Sequence, residues 1–196
     1  MCANKVVFCK TKLKIEMINK DYLTQWLGEN ATKKHQRLLF ENNMVYATNT
    51  NVLFIIRDTY DKSLEGCVVG LDGTAYKDEK FPDYEKLFRI IKHDQYKKVG
   101  VDYDLMKKLL EKPGEFAYVK IGNIDYEFKK STVFRCIVDF MEHTGSHTIC
   151  VSEDNRMVYI EHLGEYGFFM PFQFFNVNEK FEYETLDLKY EQHKLF

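Results

Sequence analysis

Apolar positions recur along this chain in two distinct periods. Short runs rich in Val, Ile, Leu and Phe occupy 37–41, 45–48 and 52–57, split by Asn42-Asn43 and by Asn49-Thr50-Asn51. Asn tolerates the left-handed backbone that tight turns need, so these runs predict antiparallel strands joined by short turns. The segment 67–71 predicts another strand, closed by Asp72-Gly73. The runs 116–121 and 124–128 flank Gly122-Asn123 and predict a hairpin, and 147–151, 157–162 and 166–174 predict three further strands.

A helical period governs three other stretches. In 19–27, Tyr22, Leu23, Trp26 and Leu27 form one stripe, with Asn19 as cap and Gly28 as stop. In 104–112, Leu105, Met106, Leu109 and Leu110 share a side, and Pro113-Gly114 end the helix. In 131–142, Val133, Cys136, Ile137, Phe140 and Met141 follow the spacing of a buried face, with Ser131 or Thr132 as cap. The stretch after Phe81-Pro82-Asp83, to about residue 92, reads as a short helix or an irregular connector, and 181–190 as an edge strand or extended arm. Lone helices followed by antiparallel strands define an α+β fold.

Composition narrows the function classes. With 16 Phe and 13 Tyr among 196 residues, the chain can fill sheet faces with rings. A net charge of −2 offers no global attraction for nucleic acid, so any DNA contact must be local. Cys2, Cys9, Cys67, Cys136 and Cys150 are odd in number and scattered, which reads as reduced thiols in a cytoplasmic protein. The apolar runs are too short to cross a bilayer, so no membrane partner is expected.

Three segments then stand out: Ala47-Thr48-Asn49-Thr50-Asn51-Val52-Leu53, Phe81-Pro82-Asp83-Tyr84-Glu85-Lys86-Leu87, and Phe168-Phe169-Met170-Pro171-Phe172-Gln173. In this order they resemble signatures of the bacterial DNA polymerase III beta subunit, the sliding-clamp family. The resemblance covers about 15–175 and implies DNA-clamp-like repeats of a helix followed by antiparallel strands. It implies a truncated N-terminal clamp-like domain at 1–95, a C-terminal one at 96–177, and a tail at 178–196. It also implies a hydrophobic groove for peptides of DNA polymerases or repair proteins, carried over onto Thr48, Leu53, Pro82, Leu87, Phe168, Met170 and Pro171. The match departs at Asn49 and Thr50, which stand where the family has Asp and Gly, and at Val52, which replaces a basic residue.

A clamp role in DNA replication and polymerase processivity implies a homo-oligomer around duplex DNA, held by sequence-independent phosphate contacts. Lys33, Lys34, Arg37, Lys107, Lys108, Lys112 and Arg135 are the candidates for those contacts. The final Gln192-His193-Lys194-Leu195-Phe196 resembles the peptide that clamp ligands insert, with Gln192 at the rim and Leu195 and Phe196 as anchors. That tail supports a second reading, a non-ring adaptor or clamp inhibitor. A third, from another class, is a metal enzyme centred on His143, His147 and Cys150, near His162. No Gly-rich phosphate loop or catalytic signature occurs, so the leading expectation is a non-enzymatic protein without cofactor or metal.

Overall fold

Strands β1 (Arg37–Glu41), β2 (Met44–Thr48) and β3 (Val52–Arg57) form a meander where the alternation and the Asn turns predict one. Asn42 and Asn43 both carry positive φ, 55° and 59°, as a type I′ hairpin turn requires. The computed structural model describes residues 37–70, 75–76, 80–175 and 186–188. The helix expected at 19–27, Lys33, Lys34 and the tail anchors Gln192, Leu195 and Phe196 lie outside the described residues.

The meander extends to β4 (Val68–Gly70) and β5 (Ala75–Tyr76) on one side. On the other, β3 pairs with β11 (Glu165–Phe169), followed by β10 (Val158–His162), β9 (Thr148–Val151) and β6 (Lys97–Gly100). The result is one nine-stranded sheet, ordered β5-β4-β1-β2-β3-β11-β10-β9-β6. It runs without interruption across the unit boundary expected near residue 95. A smaller sheet holds β12 (Gln173–Phe175), β8 (Ile124–Lys129), β7 (Phe116–Ile121) and β13 (Leu186–Asp187), with β13 parallel to β7. The chain is therefore α+β, with helices α1 (Glu85–His93), α2 (Tyr103–Glu111) and α3 (Arg135–Thr144) packed between and over the sheets.

Side-chain alternation gives the large sheet two buried faces. Leu38, Phe40, Val45, Ala47, Phe54, Ile56, Val158, Ile160 and Phe169 join a core with α2, α3, β7 and β8. Leu39, Tyr46, Leu53, Ile55, Cys150, Tyr159 and Phe168 point the other way and meet α1. The near-continuous apolar run of β3 follows from this burial on both sides.

Several boundaries differ from the periodic reading. The strand expected over 166–174 breaks at Met170-Pro171. Proline has no N–H to continue the ladder, and the chain leaves the large sheet there for the small one. Met170 donates its N–H to the Asn51 carbonyl at 2.9 Å, and Phe172 donates to that of Glu127 at 2.8 Å. The helix expected over 131–142 instead opens with a π turn (Lys130–Phe134), and neither Ser131 nor Thr132 caps it. The stretch after Asp83 resolves as helix α1, with Tyr84, Leu87, Phe88 and Ile91 on the side that meets the sheet. Strand β6 carries Lys97 and Lys98 on an exposed edge and has no apolar alternation to betray it.

Gly167 is where the sheet admits α3. A Cβ there would lie 2.7 Å from the Phe169 ring and 2.9 Å from that of Phe140, and both rings are fully buried. Gly167→Ala therefore forces two packed rings to shift and is expected to lower stability by about 1–3 kcal/mol in chemical denaturation.

Candidate functional site

The strand register brings the three clamp-like segments together. Leu53 on β3 lies opposite Thr48 on β2 and opposite Phe168 on β11. Alternation puts all three on the face that meets α1, and Met170 and Leu87 pack into the same cluster. Phe81 and Tyr84, from the segment entering α1, close over Tyr46 at centroid distances of 6.4 and 4.4 Å. Phe88 stands edge-on to Tyr166 at 5.0 Å and to Phe168 at 5.7 Å. An aromatic layer thus joins helix to sheet.

Access is not uniform among these residues. Thr48, Leu53, Phe168 and Pro171 are buried, Leu87 and Met170 are half-buried, and Pro82 is exposed. Helix α1 covers the face these residues build, so Pro82, Leu87 and Met170 are the members of the set that reach the surface. Asp83 sets that helix in place by accepting from the Lys86 N–H at 3.2 Å and from Arg89 at 2.9 Å. Tyr84 donates its hydroxyl to Glu41 at 2.6 Å, and this bond, with burial, holds the phenol well above its ordinary titration range. The Thr48 hydroxyl donates to the Val52 carbonyl at 2.7 Å and accepts from the Thr50 N–H, so it is committed to the turn.

The turn accounts for the departure at Asn49 but leaves Thr50 strained. Asn49 Oδ1 accepts from the N–H groups of Asn51 and Val52, the Asx geometry an aspartate would also supply. Thr50 sits at φ 81°, a left-handed conformation that favours glycine and disfavours a β-branched residue. Thr50→Gly is expected to raise stability by about 0.5–1 kcal/mol, read as a higher denaturation midpoint, because released strain exceeds the entropy lost by glycine.

The basic candidates do not form one surface. Lys107, Lys108 and Lys112 lie along α2 and its end, and Arg135 opens α3 beside it. Lys107 is turned onto Tyr103, 5.4 Å from the ring centroid, and pairs with Glu142 at 3.5 Å. Lys108, Lys112 and Arg135 are exposed, and Asp104, Glu111, Asp139 and Glu142 share the same two helices. Arg37 begins β1 in phase with Leu39, so it belongs to the α1 face, across the sheet from these helices. Sequence spacing alone could not separate these two faces.

A half-buried carboxyl, Asp139, lies on α3 among charged groups of α2 and α3. Asp139 Oδ2 is buried without a hydrogen-bond partner, and desolvation raises the carboxyl above its ordinary range despite Arg135. A raised folded-state value means that protonation favours the fold, a contribution lost as pH rises through it. Asp139→Asn, which mimics the protonated form, is expected to be more stable than the parent at pH 7. The advantage should fade as pH falls through the raised folded-state value towards the ordinary carboxylate range, as thermal melts across pH would read.

The histidines and Cys150 are dispersed. His143 on α3 lies 3.7 Å from Glu165, and the His147 ring stands against Tyr103 at 5.5 Å. Cys150 faces the α1 side, where burial pushes its thiol up and away from the reactive thiolate. Among the described residues no group of three His, Cys, Asp or Glu side chains converges, and no helix is long and apolar enough to cross a membrane. No family model, curated protein or solved structure matches the chain.

Proposed function

We propose that this chain is a shortened sliding-clamp-like protein that receives partner peptides along the seam between α1 and the large sheet. The observation that carries the reading is convergence. Three segments singled out for their likeness to one family's peptide site meet on a single sheet face, with Leu53 opposite Phe168 and Tyr46 against Phe81 and Tyr84. Two further features support it. Thr50 adopts a glycine-type conformation at the position where the family carries Gly, and the sheet continues across β3 and β11, as a clamp built of repeated units requires.

In this reading Leu87 and Met170 supply adaptable apolar contact and Pro82 borders it, while Leu53 and Phe168 support them from beneath. DNA association would rest on Lys108, Lys112 and Arg135. With the acidic residues of the same helices close by, it would be weak and strongly salt-dependent.

The test is fluorescence anisotropy with a labelled peptide ending in Gln-His-Lys-Leu-Phe, on the full chain and on a version ending at residue 191. Micromolar binding is expected, tighter in the shortened chain if its own tail competes. Leu87→Ala and Met170→Ala, chosen because neither is fully buried, should each weaken binding about five- to tenfold. Saturable binding that ignores both substitutions would place the peptide elsewhere. Absence of binding, with tail-dependent capture of a bacterial clamp, would favour the adaptor reading.

A further inference from the structure

Lys130 is the one lysine among the described residues that the fold buries, at 6% exposure. Its backbone N–H donates to the Glu115 carbonyl at 2.8 Å, which pins the π turn to the start of β7. Its side chain reaches the end of α2 and donates to the Lys112 carbonyl at 3.0 Å. A cation there suits the negative end of a helix and satisfies one terminal carbonyl.

That bond uses one of the three N–H donors of the ammonium. Lys130 also lines a cleft of about 530 Å³, within the size range of small-molecule sites. Leu109, Phe116, Tyr118 and Leu186 give the cleft apolar and aromatic walls, and Lys112 stands at its edge. Glu115 also borders the cleft, but its carboxylate is paired with Lys129 at 3.1 Å. No carboxylate among the described residues pairs with Lys130. Burial and the neighbouring Lys112 charge both push its ammonium below the usual lysine range. A largely covered lysine whose ammonium keeps donors to spare, beside a cleft with both apolar and polar walls, is suited to pair with an anion.

We propose that this cleft binds a small amphipathic monoanion, a carboxylate on a flat apolar body, with Lys130 as its charge partner. The rings of Phe116 and Tyr118 in its lining favour a planar body over a branched one. The one largely covered ammonium matches a single negative charge. The π turn places Lys130 here, and such turns recur at functional positions. This site is independent of the peptide seam, since β7 and the end of α2 lie across the large sheet from α1.

The experiment is an amide NMR titration of the full chain with 2-naphthoate, and with neutral 2-naphthamide as the matched control. Naphthoate should give saturable shifts at Leu109, Phe116, Tyr118 and Lys130, and bind at least about tenfold tighter than the amide. Lys130→Met should remove that preference, and Lys130→Arg should keep it. Affinity for naphthoate should also fall as pH rises through the Lys130 titration, while that of the amide stays level. If Lys130→Met does not fold, the acid–amide comparison and the pH series on the native chain decide. Equal binding of acid and amide, shifts scattered over the surface, or no saturable response to naphthoate would each overturn the proposal.

Discussion

The pairing of β3 with β11 is the contact on which the rest of the molecule depends. It joins segments distant along the chain, as the bond from the Arg57 N–H to Glu165, 108 positions away, illustrates. Closing so long a loop costs entropy that local turns do not. The return comes from extending a meander into a nine-stranded sheet whose central strands are apolar on both faces. A sheet of that kind must be covered twice. One face takes α1 and its aromatic layer, and the other takes α2, α3 and the small sheet.

The sites follow from that double coverage. On the α1 face, residues from β2, β3, β11 and the helix meet because pairing fixes which side each side chain takes. On the other side, α2 and α3 lie together so closely that Lys107 spends its charge on Tyr103 and Glu142. The turn leading from β8 into α3 carries Lys130 inward to the end of α2. Each of these polar groups is placed by a neighbour remote in sequence.

Much of the secondary structure was legible beforehand. Asn42-Asn43 and Gly122-Asn123 announced their hairpins because few residues adopt positive φ cheaply, and Asn42, Asn43 and Gly122 do adopt it. The apolar stripe of α2 and its stop at Pro113-Gly114 were equally plain. Other elements were less plain. Strand β6 gave no signal because it is a polar edge, and α1, short and dependent on Asp83 and the sheet beneath it, was left open between helix and connector. The break at Pro171 hid inside an otherwise strand-like run. Of the seven groove candidates, Thr48, Leu53, Leu87, Phe168 and Met170 lie on or against one sheet face, yet the sequence could not tell Thr48 and Phe168, which are buried, from Pro82, which is exposed.

By itself the sequence determined the local choices: where strands alternate, where helices run, where the backbone must turn, and which residue types could build an apolar seam. Those choices depend on steric and hydrophobic preferences that act over a few neighbouring residues. Only the tertiary structure decided strand order, the union of β3 with β11, the covering of the seam by α1, and the burial of Lys130. These rest on contacts between distant segments, where the energy of burying a face outweighs the loop entropy and selects one arrangement among many with the same local pattern.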